Sequence, residues 1–170
     1  MLRKVILAAC LTFMGPASLT FAQTTQRDLE VVARALKFLE GAGGSERVMV
    51  IAHDGDGAGE AANIAGLLSG GVQAGSIRLT GRAIGEDVGA LSGANAVFLV
   101  GNAKNNSALI AAAQSQGIVT ISTDLACVTA HICMLGVQSA PNVRILANRA
   151  SLAEAGIRFE PAFVMLVEEI

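Results

Sequence analysis

The strongest constraint on this chain is an alternation. Short, nearly continuously apolar runs recur at 48–52, 76–80, 96–100 and 118–122, with helix-like segments at 59–68 and 107–116 between them. A strand with one face in water alternates apolar and polar residues, whereas a strand covered on both faces does not. Covered strands alternating with helices specify parallel β-α units. The pattern therefore predicts one α/β domain, a three-layer arrangement with a mostly parallel sheet. A first helix is expected over 25–40, where Leu29, Val32, Ala33, Leu36 and Leu39 fall at helical spacing and Gly41 to Gly44 stop it. The stretch 80–96 has room for one short helix.

The last third breaks the alternation. Residues 131–137 and 143–147 read as two strands joined through 138–142, with Pro141 as turn former. The mostly parallel sheet is thus extended by a C-terminal antiparallel hairpin. Asn148 is placed to cap a helix reaching Ala155 before Gly156, and Pro161 opens a last helix through Val167.

The first residues carry an address. Arg3 and Lys4 precede an apolar run at 5–14, broken by Gly15 and Pro16, and Thr20-Phe21-Ala22 offers small residues where a signal peptidase inspects. Residues 1–22 read as a cleaved signal peptide and 23–170 as the mature domain. The run is about ten residues, short of the roughly 20 that span a bilayer, so no membrane insertion is expected after cleavage. A lipoprotein reading, with Leu7-Ala8-Ala9 leading to a lipidated Cys10, stays open, although it leaves only 5–9 as apolar core.

Losing Arg3 and Lys4 leaves 10 basic against 14 acidic residues, a net charge of about −4. No basic stripe remains to release counterions, so nucleic acid is excluded as a partner. Tyr and Trp are absent, which argues against sugar-stacking platforms and quaternary-ammonium cages.

Chemistry-bearing patterns are few. Gly57, Gly59 and Ala62 match the glycine turn of a dinucleotide site, but no acidic residue closes 76–80 to meet a ribose, and Asp54 and Asp56 would repel phosphate. No cofactor is expected. A metal loop through His53, Asp54, Asp56 and Glu60 lacks the bidentate acid of a calcium loop at its twelfth position, and His131 is distant. No metal site is expected either. No G-x-S-x-G elbow occurs and there are two histidines, so a non-enzymatic protein is the expectation. In an oxidising compartment Cys127 and Cys133 are expected to bridge, with a reactive thiol beside His131 as the alternative. In open parallel sheets ligands settle beyond the carboxyl ends of the strands. Those ends carry His53, Asp54, Thr80, Gly101, Asn102, Ser122 and Asp124, from which a small polar pocket is drawn: His53, Asp54, Asn102, Ser122 and Asp124. The competing reading makes the same residues helix caps and turn formers.

Ile118-Val119-Thr120-Ile121-Ser122, the hairpin, Val143-Arg144-Ile145-Leu146-Ala147-Asn148, and Ala155-Gly156-Ile157-Arg158-Phe159 before an apolar ending resemble the YfiR family of periplasmic proteins. Gly93-Ala94-Asn95-Ala96 leading into Val97-Phe98-Leu99-Val100-Gly101 fits as well. The resemblance implies a periplasmic repressor that binds the periplasmic part of a membrane diguanylate cyclase, or another inner-membrane sensor, and lowers cyclic di-GMP signalling. It also implies dimers and a disulfide in the hairpin region. This chain departs in having no second cysteine pair and in ending Pro161-Ala162-Phe163-Val164-Met165. The alternative is a small-ligand module resembling one lobe of a periplasmic solute-binding protein.

Overall fold

The computed structural model describes residues 23–170; the expected signal peptide at 1–22, with Cys10, lies outside the described residues. In chain order the elements are α1 (Gln26–Leu36), β1 (Glu46–His53), α2 (Ala58–Leu68), β2 (Val72–Ala74), β3 (Ile77–Gly85), β4 (Ala96–Val100) and α3 (Ser107–Ser115). β5 (Val119–Ser122), α4 (Leu125–Thr129), β6 (Leu135–Gln138), β7 (Arg144–Ala147), α5 (Arg149–Glu154), α6 (Pro161–Val164) and β8 (Glu168–Glu169) follow. Short 3-10 turns occupy Val88–Leu91 and Gly101–Asn105.

The strands form one eight-stranded sheet in the order β2-β3-β1-β4-β5-β6-β7-β8. β3, β1, β4, β5 and β6 are mutually parallel, while β2 runs antiparallel to β3 and β7 antiparallel to β6. The apolar runs are continuous because each strand feeds two cores. Met49 and Ile51 of β1, with Ala96, Phe98 and Val100 of β4, join Leu29, Leu36, Ile64 and Leu68 from α1 and α2. Val50, Ala52, Val97 and Leu99 face the other way, onto Leu109 and Ala113 of α3 and Val128 of α4. With period-2 side chains, a covered strand has no residue to spare for water. The three-layer α/β reading therefore holds, with the β6–β7 hairpin as expected.

Local chemistry sets the element ends. Thr25 caps α1 in a reciprocal box: its hydroxyl accepts from the Asp28 amide (3.2 Å), and Asp28 accepts from the Thr25 amide (2.8 Å). The other Asp28 oxygen accepts from the Ser139 amide at 2.9 Å, which ties α1 to the hairpin turn. Arg47 is only 4% exposed, yet its guanidinium donates to the carbonyls of Leu36, Gly44 and Glu46. A buried cation is retained because it satisfies the carbonyls where α1 ends and β1 begins.

Several expectations need correction. The strand read at 76–80 runs on to Gly85, with β2 added as its antiparallel neighbour; Thr80 sits mid-strand opposite Val48 and not at a carboxyl end. The polar residues Arg78, Thr80 and Arg82 disguise the strand, because β3 is covered less completely than its inner neighbours. The stretch 80–96 holds the end of β3 and one short helix, of the 3-10 kind, at Val88–Leu91. The strand expected at 131–137 begins only at Leu135. Cys127 lies in α4, and Cys133, which the strand read at 131–137 would include, lies in the turn after it. That turn carries His131 at φ 60, and both Ile132 and Cys133 donate their amides to the Cys127 carbonyl. The last helix ends at Val164, and the chain turns to lay Glu168 and Glu169 along β7. Pairing the open hydrogen-bonding edge of β7 prevails over continuing the helix, since unpaired sheet-edge groups are otherwise left to water.

Candidate functional site

The parallel strands follow the order β3-β1-β4-β5-β6, so successive connections leave β1 in opposite directions. The gap between the carboxyl ends of β1 and β4 is the topological switch point, where loops splay apart and ligands of open α/β sheets bind. His53 ends β1 and Val100 ends β4, side by side.

Asp54 organises this gap. Its Oδ1 accepts from the amides of Gly57 (3.0 Å) and Asn102 (3.4 Å), and its Oδ2 accepts from Asn102 Nδ2 (2.9 Å). The hydrogen bond from the Asn102 side chain holds the Asp54 carboxyl below its usual range; burial opposes it, and the Gly57 and Asn102 amides add to the lowering. Two glycines permit the approach. Gly101 has φ 60, and a Cβ there would lie 2.8 Å from Asp54 Oδ1; a Cβ on Gly57 would lie 3.2 Å from Val100 Cγ1. His53 Nδ1 lies 2.8 Å from the Asp54 carbonyl oxygen. A carbonyl only accepts, so Nδ1 is the donor in this contact.

Ser122 and Asp124 form a second cluster one strand further on. Lys104 Nζ meets Asp124 Oδ2 at 2.5 Å, the Ala126 amide donates to Asp124 Oδ1 at 3.0 Å, and the Asp124 amide donates to Ser122 Oγ at 3.1 Å. Ser122 is buried and directs its hydroxyl to the Leu99 carbonyl (3.4 Å). The Lys104 ammonium, by hydrogen bond and charge, keeps the Asp124 carboxyl below its ordinary value despite partial burial.

The five residues drawn from the sequence thus lie on one rim but in two groups, His53–Asp54–Asn102 and Ser122–Asp124. The turn Gly101–Asn105 joins them, because it supplies Asn102 to one and Lys104 to the other. Asp124 also does the capping work of the competing reading, at α4, while Asp54 closes the turn ahead of α2 by accepting from the Gly57 amide. Lys104 was missed. The available signal was a lone cation after β4 at the same rim as an acid after β5. Among the described residues no group of three or more His, Cys, Asp or Glu is placed to hold a metal ion. No helix among them is long and apolar enough to cross a membrane. Cys127 and Cys133 are disulfide-bonded, with Cα atoms 5.2 Å apart.

Two cavities open at the opposite rim. One, of about 340 Å³, lies between α5, α6 and the end of β7; the other, of about 560 Å³, lies among the loops entering β1, β4 and β5.

No family model matches the chain, and no curated protein does. Solved structures share the fold. A conserved domain protein from Vibrio cholerae superposes with a TM-score of 0.58 at 12% identity, covering 85% of this chain and 59% of that one. The ABC domain in complex with L-Trp from Streptococcus pneumoniae superposes with a TM-score of 0.56 at 9% identity, again covering 85% and 59%. This chain spans about 59% of the length of either.

Proposed function

We propose that this chain is a small-ligand binding module, a single lobe of the solute-binding kind, whose ligand face is the rim between β1 and β4. The observation that carries the reading is the switch point itself. Asp54 and Asn102 lock the two splayed loops together there, on a fold shared with a domain that binds L-Trp. One lobe offers a shallow face, since small ligands usually bury most of their surface. A second surface closes over it, from another copy or a partner. Export to the periplasm fits the formed disulfide, which persists in oxidising compartments.

The test is a thermal-shift screen of the purified protein against metabolite pools, followed by NMR mapping of the hit. A specific ligand should raise the melting temperature by several degrees near saturation and perturb His53, Gly57 and Asn102. Pools that leave both the melt and those amides unmoved would overturn the reading.

A second reading is a non-enzymatic periplasmic regulator that holds a membrane diguanylate cyclase inactive. Val164, Met165 and Leu166 are 47%, 88% and 59% exposed in succession, an apolar patch suited to a protein partner. Deleting the gene should then raise cyclic di-GMP. An unchanged level with the cyclase expressed would end this reading.

A further inference from the structure

The cavity of about 340 Å³ at the far rim has a chemistry of its own. It sits where β7 ends at Ala147, beside Leu135 at the start of β6, and so opens at the amino ends of the parallel strands. Leu152, Ile157, Phe159 and Phe163 give it an apolar lining. Phe159 and Phe163 stack with centroids 4.2 Å apart, and Phe163 also meets Phe38 at 6.2 Å, so the aromatic wall is braced from behind. Its volume is at the lower end of the roughly 300–1,000 Å³ typical of small-molecule sites.

Three charged residues line the same cavity: Arg149, Arg158 and Glu169. Arg149 and Arg158 are exposed, and among the described residues neither guanidinium makes a hydrogen bond or an ion pair. Four other arginines are engaged: Arg47 on carbonyls, Arg78 on the Gly70 carbonyl, Arg82 on the Ala90 carbonyl and Arg144 bidentate on Glu168. Arg27 and Arg34 of α1 are exposed to solvent and line neither cavity. The cavity therefore combines a braced apolar wall with two unengaged forks and one opposing carboxylate, a surplus of one positive charge.

We infer that this cavity binds a small apolar carboxylate, with its acid group on Arg149 and Arg158 and its hydrocarbon on Leu152, Phe159 and Phe163. Guanidinium forks match a carboxylate in shape as well as charge, and the aromatic wall takes up the apolar body. A cation of the same skeleton lacks a partner for its charge beyond Glu169. A short carboxylate lacks the body. The site is separate from the β1–β4 rim and does not depend on the function proposed for it.

The experiment is an NMR titration of the purified protein with 3-phenylpropanoate, 3-phenylpropylamine and acetate in parallel. Phenylpropanoate should saturate and shift the amides of Leu152, Phe159 and Phe163, while the other two leave them unmoved at equal concentration. Arg149→Gln and Arg158→Gln should each weaken binding about tenfold, the loss of one charge-assisted contact. Glu169→Gln should strengthen it by removing the opposing charge. All three positions are exposed, and an unchanged amide spectrum elsewhere verifies the fold. Equal binding of the amine, or full binding by both arginine variants, would overturn the inference. Shifts confined to His53, Gly57 and Asn102 would also overturn it, and would support the ligand face proposed for the other rim.

Discussion

A side chain at Gly101 works against this fold on two counts. At φ 60 an L-residue is strained, and an added Cβ would meet Asp54 Oδ1. Gly101→Ala should cost about 1–2 kcal/mol from backbone strain and break the Asp54–Asn102 link, visible as a lower melting temperature and displaced Gly57 and Asn102 amides. Asp54 makes a pH prediction at the same scale. Its folded value is lowered, so the link is intact above the ordinary carboxylate range and is lost as pH falls through that lowered value. An acid titration followed at the Gly57 and Asn102 amides should show both moving together, and a transition above the ordinary range would contradict the assignment. His53, Asp54 and Asn102 were legible in the sequence because strand ends can be counted. Lys104 was not, because its partner Asp124 is 20 residues away and on a different strand's loop.

At the scale of elements, the hairpin region is held by two devices of different origin. Asp28 is 7% exposed and accepts from Thr25 and Ser139 together. Although burial pulls its carboxyl upward, the Thr25 and Ser139 hydrogen bonds outweigh that and leave it lowered. Its contribution is therefore present above the usual carboxylate range and lost as pH falls through the folded value. Asp28→Ala should cost about 2–3 kcal/mol, for the cap and a charge-assisted hydrogen bond, and should flatten the acid limb of a plot of melting temperature against pH. The disulfide is the second device. Cys127 and Cys133 are six residues apart, and replacing both with serine frees a short loop, worth about 2 kcal/mol in the chain-entropy account. A melt with and without reductant, alongside free-thiol titration, checks it, and two reactive thiols in the native protein would refute the bridge. Nearby, Asn148 Oδ1 accepts from Ser151 as the cap of α5, while its amide nitrogen meets the Val128 carbonyl and His131 Nδ1. The bridged turn and α5 are thereby joined through one buried side chain.

The whole molecule is one sheet with a core on each face, so neither core can melt alone without exposing the back of the other's strands. Leu29→Ala in the first core and Leu109→Ala in the second should each cost about 2–5 kcal/mol and lower a single transition by several degrees. Coincident melts by far-ultraviolet circular dichroism and by a side-chain probe are the check; a variant that splits the transition would show that the cores fold separately. The sequence by itself determined the three-layer α/β class, the C-terminal hairpin, the cap at Asn148 and the pairing of two close cysteines. Each of these depends on periodicity or on neighbours within a few residues, where local free energy is read directly from residue order. Tertiary structure alone decided that β3 extends to Gly85, that Glu168 and Glu169 pair with β7, that Lys104 meets Asp124 and that Arg149 and Arg158 share a cavity. Those outcomes turn on contacts between residues distant in the chain, which come into existence only once the strands are ordered and their edges must be filled.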